Sequence, residues 1–261
     1  RDAVPVVRMM ISLPGGISAD SRDKPGTQML MLGLLDEGID GSLGPMDGPA
    51  IARMEERLGT GIGASASLDR TRFSLNALTP NLAESVALFA DIVRAPTFPS
   101  DQLERGRVQA LTGLKREATD PTGLAYRALP KLVYGDTHPY GFSFTGSGTE
   151  AGLKSISRDD LIAFHAALRP EQGTILVVGD TDMATLKPLL APAVMESFEA
   201  GIAARETRGE TEQVEFLYPP RADLESADVD GGTARVVVRF LAEFRTRTKD
   251  ASGEGVDDRR T

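Results

Sequence analysis

The chain has 261 residues, a formal net charge of -9, 41% hydrophobic and 26% charged residues, and no cysteine. Such a length suits one or two domains with a sizeable buried core, and the acidic balance argues against nucleic acid and anionic membrane surfaces. No apolar run approaches the ~20 residues that cross a bilayer, and without cysteine neither a disulfide framework nor a Cys/His dyad can form.

Arg1 stands directly before a strand-like segment, residues 4–13, with no initiating methionine or signal peptide. That suggests a piece of a longer precursor, and leaves a periplasmic or secreted location of that precursor open. Gly15-Gly16 and a polar loop follow. Residues 26–38 are an apolar run opened by Pro25 and Gly26 and closed by Gly38. The pattern predicts an interior helix that is apolar all round, with Pro near its start and Gly just past its end.

Residues 49–58 place Ile51, Met54 and Leu58 at helical spacing, and Gly59 ends that helix. Residues 61–67 read as a small-residue strand, Asp69-Arg70 as a hairpin turn, and residues 72–78 as a strand of period two. Asn81 with Glu84 three residues on predicts a capping box. The helix it opens runs to about Arg94, buries Leu82, Val86, Phe89 and Val93, and stops before Pro96. Ser100 opens the next helix in the same way, to about Ala118, where Asp120-Pro121 breaks it. A helix over residues 122–133 precedes a Gly/Pro-rich loop, residues 134–141. Ser157-Arg158-Asp159-Asp160 is a helix start with carboxylates where the helix dipole favours them, and this helix runs to Arg169-Pro170. Residues 173–180 form the most convincing strand, followed by a short helix from Met183. The fold class is α+β: an α/β roll with a mixed, largely antiparallel sheet and helices packed on one face.

Few residues offer chemistry. The two histidines are His138, in the Gly/Pro loop with a turn role, and His165, near a helix C-terminus where the dipole favours a cation. Gly146-Ser147-Gly148 is too short for the G-x-S-x-G nucleophile elbow and reads as a flexible loop. Neither a P-loop nor a dinucleotide fingerprint occurs. Glu55-Glu56 and Asp159-Asp160 read as solvated faces or helix starts. An autonomous carboxylate-based enzyme stays open as an alternative, with nothing pointing to it.

A series of segments carries a resemblance in its order and spacing. It comprises the strand with its Gly-rich exit, the run from Gly26 to Gly38, Glu56-Arg57-Leu58-Gly59 and Asp91-Ile92-Val93-Arg94-Ala95-Pro96. Further on come Tyr134-Gly135-Asp136, His138-Pro139-Tyr140-Gly141, Gly148-Thr149-Glu150, Ser157-Arg158-Asp159-Asp160-Leu161 and Val177-Val178-Gly179-Asp180. Together these resemble the insulinase/pitrilysin-type zinc peptidases, whose helix reads G-x-x-H-x-x-E-H-x-x-x-x-G. Aligning the glycines puts Met29 and Gly33 at the two histidine positions and Leu32 at the glutamate that activates water. Glycine has no donor atom, a lone thioether is a soft ligand, and leucine cannot act as a base. The family's third ligand is a glutamate on a later helix. The matching window, residues 109–113, holds no acid, and Glu117 just beyond it reads as an exposed helix glutamate.

The resemblance therefore implies a zinc-less, non-catalytic domain with no catalytic or metal residue of its own, not active alone. Such a half helps enclose and position peptide substrates for a zinc-bearing partner domain or subunit, on the same polypeptide or as a heterodimer, with the zinc in that partner. Neither nucleic acid nor membrane insertion is implied. Peptide contact would use a strand edge, with residues 61–68 and 72–78 as candidates. A structural or assembly scaffold derived from the peptidase fold is the alternative. The domain organisation expected is a roll over residues 1–195, an acidic linker over 196–232, and over 233–261 the start of a truncated second roll with a disordered tail.

Overall fold

The computed structural model describes residues 4–168 and 173–190. In chain order the elements are strand β1 (Val6–Pro14), helix α1 (Thr27–Leu32), strands β2 (Gly38–Gly41) and β3 (Gly44–Asp47), and helix α2 (Gly48–Leu58). Strands β4 (Gly61–Ala66) and β5 (Arg70–Leu78) and helices α3 (Leu82–Arg94), α4 (Ser100–Glu117) and α5 (Pro121–Tyr134) follow. Helices α6 (Glu150–Ser155) and α7 (Arg158–Ala166), strand β6 (Thr174–Gly179) and helix α8 (Met183–Leu190) complete the described part.

Alternation builds the sheet. In β1 Val7, Met9, Ile11 and Leu13 are buried, and in β5 Phe73, Leu75 and Ala77 are buried, each set on one face of its strand. The strands run in the order β4-β5-β1-β6. Register brings the buried rows side by side: Met9 lies opposite Leu75 and Val177, and Ile11 opposite Phe73 and Ile175. Every pairing is antiparallel, so among the described residues the sheet is not mixed. The helices cover the buried face. From α3, Leu82, Val86, Leu88, Phe89 and Ile92 enter the same core, and from α1 Leu30 and Met31 do.

The long helix expected over residues 26–38 is much shorter. It ends at Leu32 with Gly33 as C-cap, residues 33–36 turn, and Gly38 begins a strand. Leu34 and Leu35 remain buried, so the apolar run feeds the core without staying helical. A β2–β3 hairpin that the sequence did not announce takes over the tail of the run. Its turn is fastened by the buried Asp91 carboxylate, which accepts from the Ser42 amide and hydroxyl, both at 3.0 Å, and from the Leu43 amide at 2.8 Å. A Cβ at Gly41 would fall 2.4 Å from that carboxylate, so the position requires glycine. Strand β2 also pairs sideways, with the Asp40 amide on the Ala95 carbonyl and the Thr97 amide on that of Gly38. Tertiary pairing here overrides local helix preference.

Helix starts divide in the same way. The helix start read at Ser157-Arg158-Asp159-Asp160 opens α7, where Ser157 and Asp160 form a capping box that the sequence reading does not name, and Asp160 also holds Lys24 at 2.6 Å. The Asn81–Glu84 box does not form. Asn81 Nδ2 donates instead to the Leu58 carbonyl at 2.8 Å, and Glu84 pairs with Arg57. Ser100 is the first residue of α4 rather than its cap. Helix α7 ends at Ala166, and residues 169–170 lie outside the described part. The proposed linker and second roll, residues 196–261, lie outside it as well.

Candidate functional site

The region to build is the outer face of α1 and the sheet edge beside it. Helix α1 starts where Gly26 adopts φ 102°. A Cβ there would be strained and would press on Leu153 at 3.0 Å and on the backbone of Gly148 at 3.2 Å. The cap comes from a distance: the buried Asp20 carboxylate accepts from the Gly26 amide at 2.6 Å and the Gln28 amide at 2.9 Å. Burial raises the Asp20 pKa to about 6, against the lowering effect of those two amides.

Met29 and Gly33 fall on the outward side of α1, one turn apart, while Leu32 is buried in the core. The helix is thus not buried all round: Met29 is 38% exposed. Spacing of i and i+4 still brings two side-chain positions together, but here one is a thioether and the other has no side chain. The loop of residues 143–148 packs on this side. A Cβ at Gly146 would lie 2.9 Å from the side chains of both Met29 and Ile17, and one at Gly148 would collide with the Pro25 carbonyl.

This loop is tied down, contrary to the expectation of a flexible one. Glu117, at the end of α4, accepts from Ser147 Oγ at 2.7 Å and Thr145 Oγ1 at 2.8 Å, and pairs with Arg127 of α5 at 2.9 Å. Arg127 also donates to Ser147 Oγ at 2.9 Å and to the Gly148 carbonyl at 2.8 Å. Glu117 is therefore not the exposed helix glutamate expected: its side chain is 12% exposed and forms the centre of a network. Burial pushes its carboxyl up, but the Ser147 and Thr145 hydroxyls and Arg127 more than offset this and leave it below its ordinary value.

The side chains at the aligned motif positions do not fit a zinc ion, which asks for imidazole, thiolate or carboxylate donors. Residues 109–113 supply no acid, and the Glu117 carboxylate already holds Arg127 and two hydroxyls. Among the described residues no group of three or more His, Asp or Glu side chains could hold a metal ion.

Both histidines have structural contacts. His138 Nδ1 accepts from the Tyr140 amide at 3.0 Å, and its ring stacks on Tyr134 with centroids 5.1 Å apart. His165 lies in the last turn of α7, with Nε2 2.7 Å from the Val93 carbonyl and its ring edge-on to Phe98. Burial lowers its pKa, so the cationic role expected from the helix dipole gives way to a neutral, packed imidazole.

Of the two candidate strands, β5 is paired on both sides and β4 is the edge. Helix α1 packs against β4, the edge strand among the described residues. Glu55 is not on a solvated face. From the last turn of α2 its Oε1 accepts the Ile62 amide of β4 at 3.0 Å, and burial raises its pKa, with that bond opposing the shift. Asp20, Glu55, Arg127 and the Thr145–Ser147 pair were missed from sequence. Each acts on a partner brought close by the fold, and none forms a local spacing pattern.

Residues 44–138 match the family model for insulinase, peptidase family M16. Residues 177–261 match the Tim44-like domain model, a match that begins inside β6, where the strand is paired with β1 of the roll. A zinc protease PqqE of Helicobacter pylori is 29% identical over 133 residues, covering 50% of this chain and 29% of that protein. The peptidase M16 inactive domain from Pseudomonas fluorescens is 31% identical, with a TM-score of 0.67, over 74% of this chain and 46% of that one. The periplasmic protease PqqL of Escherichia coli shares the fold alone, at 18% identity and a TM-score of 0.62, over 72% of this chain and 21% of that one. The chain thus spans less than half the length of these relatives. By its fold, its segment order and these likenesses, the described roll resembles an insulinase-type (peptidase family M16) domain.

Proposed function

We propose that this domain is a non-catalytic half of an insulinase-like zinc peptidase. It helps enclose an extended peptide and position it for a zinc-bearing partner domain or subunit, which supplies the metal and the water-activating base. The observation that carries this reading is a contrast: β4, which packs against α1, is the edge strand among the described residues, while the outward side of α1 offers only Met29, Gly33 and a fastened loop. An edge strand offers unpaired backbone groups to an extended chain without any catalytic side chain. Holding and desolvating a substrate contributes to catalysis even when the chemistry is done elsewhere. The likeness to an inactive M16 domain supports the same reading.

The test is to purify the chain, dialyse it against zinc, measure its metal content, and assay a quenched fluorescent peptide with and without a zinc-bearing insulinase-type chain. The reading expects much less than one zinc per chain, no cleavage alone, and cleavage raised by mixing. One tightly held zinc per chain, or cleavage by the chain alone that survives a chelator, would overturn it; the latter is the behaviour of a carboxylate enzyme.

One observation favours a second reading, an assembly scaffold. Helix α5 leaves Leu124, Leu129, Leu132 and Val133 exposed, the last three at i, i+3 and i+4 on one face. A scaffold would form a complex in the same mixture without raising cleavage.

A further inference from the structure

The β4 edge is bounded by groups of the chain itself. The Ile62 amide donates to Glu55 Oε1 at 3.0 Å, so that donor points away from β5. Backbone direction alternates along an antiparallel strand, and the register places Ile62, Ala64 and Ala66 opposite Leu75, Phe73 and Thr71. Ala64 and Ala66 therefore present their backbone groups outward, as Ile62 does. Just past them the carbonyls of Ser67 and Leu68 accept the amides of Ile17 and Ser18, both at 2.9 Å. Among the described residues the edge is closed by the carboxylate at one end and by backbone at the other, and open between. Its solvent face is bare: a Cβ at Gly61 would meet nothing within 4 Å, and one at Gly63 only Ser74 Oγ at 3.3 Å.

A peptide adding to β4 would bring a carbonyl to each outward amide. At Ile62 that place is taken by an oxygen of Glu55, and a second acceptor arriving there meets a negative charge and no free proton. We propose that Glu55 is a register stop, which confines an added extended peptide to the stretch opposite Ala64 and Ala66. At about 3.3 Å per residue, that stretch holds roughly three to four peptide residues. The selected ligand is a short extended segment rather than a long one. This rests on the reading of β4 as the docking strand.

The probe is a set of fluorescent, acetylated and amidated peptides of alternating threonine and valine, with lengths of about four, six and eight residues. Affinity is measured by anisotropy on the full chain and on its Glu55→Ala and Glu55→Gln variants. In the unaltered chain the affinity changes less than about twofold beyond four residues, whereas in Glu55→Ala it rises about tenfold. Glu55→Gln keeps an acceptor oxygen and follows the unaltered chain. Amide exchange at Ile62, slow in the unaltered chain and in Glu55→Gln, becomes fast in Glu55→Ala. Should Glu55→Ala not fold, Glu55→Ser, too short to reach Ile62, replaces it. Binding by all three proteins with one common length dependence overturns the register stop and leaves the docking strand standing. Absence of binding at every length overturns both.

Discussion

Helices α3 and α5 are nearly equal in length, 13 and 14 residues, and both are rich in apolar side chains. Helix α3 buries eight of its residues, among them Leu88 and Phe89, and closes the core against β5. Helix α5 buries only Gly123 and Pro130, and Leu132 is 81% exposed. What fastens α5 is polar: Asp120 caps its start by accepting the Gly123 amide, and Arg127 joins it to Glu117 and the 143–148 loop. Similar composition thus serves two purposes. One apolar stripe holds this domain together, and the other has no cover among the described residues.

The strongest way to break the contrast is to remove a core anchor from α3. Phe89→Ala is expected to cost about 3–5 kcal/mol, read from denaturant unfolding, because a buried ring leaves a cavity that neighbours fill only partly. A loss under about 1 kcal/mol would mean that α3 is no more essential to packing than α5.

Next comes the polar fastening. Arg127→Ala leaves Glu117 without its cation in a largely buried place, an expected loss of about 1–3 kcal/mol. Glu117→Gln is expected to cost less, since it removes the charge but keeps an acceptor for Thr145 and Ser147. Amide exchange should quicken first in α5 and residues 143–148. Equal quickening in α3 would show that the two regions unfold together.

Acid tests the same fastening without a mutation. The Glu117 carboxyl is held below its ordinary value of 4.5 in the folded chain. The unfolded chain therefore binds the proton first. The stabilisation Glu117 gives is present above pH 4.5 and fades as pH falls through the folded value. Protection of the 143–148 amides should accordingly decline below pH 4.5 before that of α3, and Glu117→Gln should remove the difference. Asp20 moves the other way. Its pKa is raised to about 6 from 3.8, so its own contribution improves as pH falls through that window and opposes the Glu117 effect where the two windows overlap.

The smallest effect is expected at Leu132. Leu132→Ser should change the stability of the isolated chain by less than about 0.5 kcal/mol, since the side chain is already in water. Its consequence should show in association with a partner. A substantial loss in the isolated chain would mean that α5 is packed after all.

Much of the fold was legible wherever one local rule was enough. The strand-like segment 4–13, the period-two run 72–78 and residues 173–180 located β1, β5 and β6, and the helix start at Ser157–Asp160 placed the beginning of α7 within a residue. Reading failed where a side chain reached across the fold. Asn81 turned to Leu58 instead of capping its own helix, and the run after Gly33 gave up its helical turns to a hairpin fastened by Asp91. The candidate site shows the same division. That the side chains of Met29, Leu32 and Gly33 carry no imidazole, thiolate or carboxylate was readable, because donor chemistry belongs to the side chain itself. The loop over that face and the Glu55 contact with β4 were not, because each joins residues far apart in the sequence or depends on how a helix turns back on a strand.

By itself, then, the sequence determined the apolar periodicity, the glycines that let the chain turn, the order of segments, and the donor atoms absent from the aligned motif. Only the tertiary structure decided that β4 rather than β5 is the edge, that the outward side of α1 carries Met29 and Gly33, and that Glu117 is the centre of a network. The reason is physical. Periodicity and donor chemistry are local properties of the chain, whereas an edge, an exposed face and a hydrogen-bond partner exist only once distant segments have packed.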